Sequence, residues 1–346
     1  MHKLNKIING EHAGDCYVIA EAGLNHNGSL EIAKSLIDVA VIAGANAVKF
    51  QKRTVETLAV KDVLDAEDNR FPEFGKTYRE IREHHEFNIE EYRELKNYSE
   101  EKNIDFFVTA FDPDAVDFLE ELGVDAYKLA SHSATNIKLL EYLAAVKKPT
   151  ILSTGMADLD ELDSAVGIFR KHNAPLILLH CVSSYPTPYD ECNLAMMDIL
   201  KTRYGIPTGY SGHEIGYLPT ITAVAMGAQL VERHYTLDKT MPGFDHKMSL
   251  EPDELIAMVR DIRNIKNIRG TGKKEVSETE WITRKKYHVS MASAIEIKSG
   301  TELSESLVAY RNPGTGIPAK LADTILGKKA IKDIPADVLL SPDMFE

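Results

Sequence analysis

Over its first 270 residues the chain alternates between two patterns of apolar and polar positions. Short apolar and β-branched runs predict eight strands: "CYVIAEAG", "NAVKFQ", "DFFVTAF", "AYKLAS", "PTILSTG", "PLILLHCV", "IPTGYSGH" and "AQLVERHYT". Between them lie stretches with helical spacing. "SLEIAKSLIDVAVIAG" opens on Ser29, a capping residue, and closes on Gly44, a terminator, while "NIEEYRELKNYSEEKN" sets Ile89, Tyr92 and Leu95 on one face. Eight βα units in succession imply a parallel sheet, and that number closes into a (β/α)8 TIM barrel. An open doubly wound sheet is the alternative. It usually has fewer units and a glycine-rich dinucleotide loop, and no G-x-G-x-x-G follows the first strand.

Two regions break the alternation. Residues 52–88 form a long insertion after the second strand, rich in charge and aromatic rings, and a connection of that length in a compact domain usually serves function. After Gly270 the polar stretch "GTGKKEVSETEWITRKK" reads as a linker over 271–286. Short β-like pieces, "VSMASAIEI" and "LVAYR", then predict a small β-rich domain over 287–346. The expected division is thus a barrel over 1–270, a linker and a small domain.

Composition narrows the function. The 346 residues are 44% hydrophobic and 27% charged, the balance of an ordinary globular protein. Cys16, Cys181 and Cys192 are too few and scattered for a disulfide framework or a cysteine zinc site. No signal peptide opens the chain and no apolar run approaches the ~20 residues of a spanning helix, so a cytoplasmic location is expected. A net charge of −13 argues against nucleic acid or an anionic membrane as partner.

The candidate chemistry sits where barrel active sites lie, at the carboxyl ends of the strands. All eight predicted strands end in polar residues: Glu21; Lys49 and Gln51; Thr109; Lys128 and Ser131; Ser153; Ser183 and Tyr185; Ser211 and His213; Glu232 and His234. Several lie two apart and so share a face. A lysine alone in an apolar strand would cost several kcal/mol or lose its proton. Lys49 and Lys128, with serines nearby, therefore suit a ligand bearing phosphate and carboxylate. A structural network with Glu21 and Glu232, or a Schiff-base lysine, is the other reading. His213 and His234 end neighbouring strands, and such a pair can bind a divalent metal with positions left open for water and substrate. Arg233 is expected to pair with an acid outside the barrel, and His26, His84, His85, His132 and His246 to lie on loops or the rim.

The segments "AEAGLNHNGSLEIAK", "AVKFQKRT", "LSTGM", "SSYPTPYDECNL", "GYSGHEIG", "ERHYTLDK", "GFDHKMSLEPDEL" and "RNPGTGIP" resemble, in the same order, those of the sialic acid (N-acetylneuraminate) synthases. The last belongs to a C-terminal module similar to the antifreeze-like (SAF) domain. The resemblance implies condensation of phosphoenolpyruvate with N-acetylmannosamine and water, giving a nine-carbon 2-keto acid and phosphate. Related acceptors are a 6-phosphorylated mannosamine and the sugars of legionaminic and pseudaminic acid synthesis. It also implies that Lys49, Thr109, Lys128, Ser131, Ser153, Ser183 and Ser211 surround phosphoenolpyruvate. Some members carry asparagine in place of Ser183.

By the same resemblance His213 and His234 bind manganese or magnesium, and Glu21, Gln51, Tyr185, Asp245 and Arg311 contact the sugar. A carboxylate at Glu21 also suits proton transfer or stabilisation of the cation at C2, which makes it the catalytic candidate with His213 and His234. The resemblance implies further that Arg311 reaches the barrel of a partner subunit in a domain-swapped homodimer. A carbohydrate-binding or ice-binding protein is the rival from another class, but it needs no lysines and histidines inside a barrel.

Overall fold

Strands β1 (Tyr17–Gly23), β2 (Ala47–Lys52), β3 (Asp105–Ala110), β4 (Tyr127–Leu129), β5 (Thr150–Ser153), β6 (Leu176–Cys181), β7 (Thr208–Gly212) and β8 (Leu230–His234) pair in parallel, each with the next. β8 returns to β1, so the sheet closes into the expected barrel. This computed structural model describes residues 2–11 and 15–346. An α-helix follows each strand, and the local signals act as read. Ser29 Oγ accepts from the Ile32 amide at 3.3 Å, and Gly44 ends that helix in the left-handed region at φ 75°.

The strand periodicity of two builds both faces of the sheet. Val18, Ala20, Val48, Phe50, Val108, Leu152 and Val231 point outward and pack against the surrounding helices. Tyr17, Ile19, Ala47, Phe107, Ile151, Ile177 and Leu230 point inward. An N-terminal helix, His2–Ile8, adds Leu4 and Ile7 to that inner cluster, closing the barrel end opposite the strand carboxyl ends. Each fully buried side chain of this kind contributes roughly 1.5–3 kcal/mol. One end of the bore is therefore dry and filled, so polar inward residues concentrate at the other.

The insertion folds into short helices, Val55–Leu58, Lys61–Leu64 and Tyr78–His84, and docks on the open end. Lys52 pairs with Glu86 at 2.7 Å, Phe71 packs edge-on against Phe244, and His84 Nε2 meets the Asn27 carbonyl at 3.1 Å. Gly28, at φ 73°, permits this approach, since a Cβ there would lie 2.3 Å from the His84 carbonyl oxygen. The histidines expected at loops or rim divide. His26, His85 and His246 lie in connecting segments but are buried: His26 stacks on Phe87 of the insertion, His85 packs inside the insertion against Phe74, and His246 bonds Thr236 after β8. Burial lowers the pKa of His26 to about 3 and of His85 to about 4, so both are neutral at pH 7.

The chain divides into two compact units, over 1–270 and 271–346. The second holds an antiparallel pair, β9 (Ser290–Ser293) and β10 (Val308–Arg311), over a core that includes Met291, Ile297, Ile317, Ile334 and Leu340. The stretch expected as a linker is not all linker, because Glu278–Tyr287 is helical. Ser277 Oγ accepts from the Glu280 amide, and the Glu280 carboxylate accepts from the Ser277 amide in return. This capping box stabilises a helix that buries no residue, so the apolar periodicity used to find helices had nothing to register.

Candidate active site

Each strand that is apolar inside near its start carries its charged or hydroxyl side chains two or four residues on. The parallel register sets them side by side: Glu21 lies opposite Lys49 and also opposite His234, Gln51 opposite Thr109, Thr109 opposite Lys128, and Ser211 opposite Glu232. Together they line a cavity of about 300 Å³ at the open end of the barrel. Of the candidates in this unit, all but Ser183 line it.

Two buried ion pairs form its floor. Lys49 Nζ lies 2.7 Å from Glu21 Oε2 and donates to Thr109 Oγ1 at 2.7 Å. Lys128 Nζ donates to Ser153 Oγ at 2.7 Å and lies 3.6 Å from Glu232 Oε1, which also accepts from Ser211 Oγ at 3.1 Å. Lys49 and Glu232 stand 3.8 Å apart, joining the pairs into one network. Burial alone would raise the Glu232 pKa, but Lys128, Lys49 and His234 together hold it at about 2. Burial also pushes Lys128 down, with Lys49 adding to the effect, and Glu232 offsets only part of that. The network considered as an alternative thus exists, and it faces a cavity large enough for small molecules.

Above the floor stand His213 and His234, their ring centroids 5.6 Å apart. His213 Nδ1 is 2.9 Å from the Val182 carbonyl, so it donates there and Nε2 keeps a free lone pair. Burial and the neighbouring His234 lower the His213 pKa to about 3, which keeps the ring neutral. His234 Nδ1 is buried without a hydrogen-bond partner and lies 3.9 Å from Asp245 Oδ2. A neutral His213 with Nε2 free and an unpartnered His234 Nδ1, both on residues lining one cavity, fit a divalent metal. Among the described residues no three His, Cys, Asp or Glu side chains gather as a metal-binding group, so the fit is to an open site with two protein ligands. Tyr185 packs on His213 with centroids 4.2 Å apart.

Ser183 lines a neighbouring hollow of about 770 Å³ instead. Its buried hydroxyl has no partner and lies beside Gly155, near Ser131, whose hydroxyl accepts from the Gly155 amide at 3.1 Å. A Cβ on Gly155 would stand 2.4 Å from Ser183 Oγ and 2.9 Å from Ser131 Oγ, so only glycine lets the two hydroxyls converge. Arg311 belongs to the second unit, where it is exposed on β10 and pairs with Asp337. Arg233, as expected, faces out of the barrel and donates from Nη1 to Glu214 Oε1 at 2.6 Å.

Arg53, Arg82, Phe111, His132, Cys181 and Phe244 also line the cavity and were not among the expected site residues. Arg53 had a signal, for it continues the inward series Lys49, Gln51 along β2. Arg82 and Phe244 come from the insertion and from the loop after β8, and no local pattern links them.

Comparison with known proteins agrees with this geometry. Residues 36–274 match the NeuB family and residues 292–346 the SAF domain. The chain is 36% identical to N,N'-diacetyllegionaminic acid synthase of Legionella pneumophila, over 98% of this chain and 97% of that protein. It is 34% identical to human N-acetylneuraminate-9-phosphate synthase, over 98% of this chain and 94% of that one. Among solved structures it superposes on N-acetylneuraminic acid (sialic acid) synthetase from Leptospira borgpetersenii, in complex with citrate. That match has a TM-score of 0.67 and 40% identity, covering 78% of this chain and 90% of that one.

Proposed function

The chain belongs to the NeuB family and is a phosphoenolpyruvate-dependent synthase that forms a carbon–carbon bond, and we propose that its acceptor is an N-acyl hexosamine of the mannosamine type. The products are a nine-carbon 2-keto acid and inorganic phosphate. The observation that carries this reading is the floor. Lys49 and Lys128 are almost fully buried there among the hydroxyls of Thr109, Ser131, Ser153 and Ser211, a donor set for a small ligand with two acidic groups.

In the proposed reaction the enol carbon of phosphoenolpyruvate attacks the sugar aldehyde, whose oxygen takes up a proton and becomes a hydroxyl. Positive charge develops at C2, water adds there, and the C–O bond to phosphate breaks to leave the ketone. Lys49 and Lys128 hold the phosphate and carboxylate. Glu21, 2.7 Å from Lys49, stabilises the charge at C2 and accepts the proton released by the added water. Gln51, Tyr185 and Asp245 orient the sugar. Manganese or magnesium held by His213 and His234 would supply Lewis-acid polarisation of the aldehyde oxygen. Imidazole nitrogens by themselves favour zinc or copper, so the choice of metal rests on the family resemblance.

The same resemblance supports a homodimer in which Arg311 of one subunit completes the other's sugar site. A cytoplasmic location goes with this reading, because a triply ionisable phosphorylated substrate does not cross membranes unaided; among the described residues no helix is long and apolar enough to span one. Incubation with phosphoenolpyruvate and a panel of hexosamines, reading phosphate release, tests the proposal. Acceptor-dependent release is expected, and none with any hexosamine overturns it.

A further inference from the structure

The cations around the cavity are not equally answered. Lys49 and Lys128 face Glu21 and Glu232. Arg53 and Arg82 form no ion pair among the described residues. Arg53 is 8% exposed, with its guanidinium 3.7 Å from the centroid of the Phe111 ring. Its Nη2 donates to Gln51 Oε1 at 2.5 Å, while Nη1 is buried with no hydrogen-bond partner. Arg82, on the insertion helix Tyr78–His84, packs against Phe244 at 4.2 Å and Tyr78 at 5.0 Å, and its Nε is likewise buried and unpartnered. Aromatic faces attract a guanidinium but accept none of its N–H bonds in the plane of the fork. Two like charges on one cavity also repel. Burial and then the charge of Arg82 bring the Arg53 pKa down to about 10. Of the carboxylates that act on Arg53, Glu86 is engaged with Lys52 and Asp245 stands beside His234.

We propose that Arg53 and Arg82 form an anion subsite at the cavity mouth that takes a phosphate monoester carried by the acceptor sugar. The proposal rests on the reading of this barrel as a hexosamine-accepting synthase. Planar forks with unused N–H donors match phosphate oxygens, and a dianion answers both charges at once. Position favours the sugar over phosphoenolpyruvate. The Arg53 fork is bonded to Gln51, which the proposed reaction places at the sugar, whereas the floor lysines hold Thr109 and Ser153. A hexose whose aldehyde meets His213 and His234 sends its far end, C6, toward the mouth.

The test compares N-acetylmannosamine 6-phosphate with N-acetylmannosamine, by calorimetric binding and by phosphate release from phosphoenolpyruvate. Wild type is expected to favour the phosphorylated sugar about 100-fold. Arg53→Gln and Arg82→Gln should each cut its binding about 10- to 100-fold and hold the KM for phosphoenolpyruvate within about twofold. Arg53→Lys, which keeps the charge but not the fork, should fall between. Arg82 is less buried than Arg53, so its variant keeps the test alive if the Arg53 variants fail to fold. Equal use of the two sugars by wild type overturns the subsite, as does a rise in the phosphoenolpyruvate KM in place of the sugar's. Phosphate-dependent binding, lost in the variants but without turnover of any sugar, would leave the subsite standing and remove the proposed reaction.

Discussion

Replacing Glu232 by glutamine removes one charge from a buried network and leaves its shape nearly unchanged. In the folded protein its pKa falls from the ordinary 4.5 to about 2. By linkage that difference is worth roughly 3 kcal/mol of stability at pH 7. Breaking a buried pair by deleting one partner typically costs about 3–5 kcal/mol, because the remaining charge stays desolvated. The two routes agree. Lys128, already pushed down by burial, can shed its proton in the variant and so limits the loss to the lower figure.

The sign follows from the depressed folded pKa. The contribution is fully present above pH 4.5 and is lost as pH falls toward about 2. Urea unfolding of wild type and Glu232→Gln should therefore differ by about 3 kcal/mol at pH 7, with the gap closing between pH 4.5 and 2. Far-UV circular dichroism is the suitable probe, since the single tryptophan, Trp281, lies in the second unit. Equal stability at pH 7, or a gap that persists in acid, would refute the account of the floor.

Other consequences are open to direct measurement. Gly155→Ala should raise the KM for phosphoenolpyruvate at least about tenfold, because its Cβ would press on Ser183 and Ser131; an unchanged KM would mean that these hydroxyls do not hold the substrate. Chelation should abolish condensation and manganese or magnesium restore it, and His213→Ala should be inactive with an unfolding midpoint within a few degrees of wild type. Full activity after chelation removes the metal from the reaction. Arg311→Ala should weaken the sugar and spare phosphoenolpyruvate. Mixed with His213→Ala under conditions where subunits exchange, it should regain activity, and no recovery there argues against a swapped dimer.

Much of this architecture was legible along the chain because its signals are local. Strand alternation and helical spacing repeat over a few residues, so eight βα units could be counted, and counting them fixes the barrel and its reactive end. The same alternation put Glu21, Lys49, Thr109, Lys128 and Glu232 on inward faces before any contact was known. What the chain could not display was which of these meet. The Glu21–Lys49 and Lys128–Glu232 pairs depend on parallel register between strands far apart in sequence, and on a filled bore that forces charge to the open end. Burial of His246 depends on Thr236 and Asn27, and burial of His26 and His85 on a docked insertion whose own residues carry no apolar period. Arg82 shares a cavity with Arg53 for the same reason. The helix Glu278–Tyr287 went unread because it shows water on every face and is held by its cap. Local order was written in spacing; the electrostatics of the site came from residues whose proximity only the closed barrel creates.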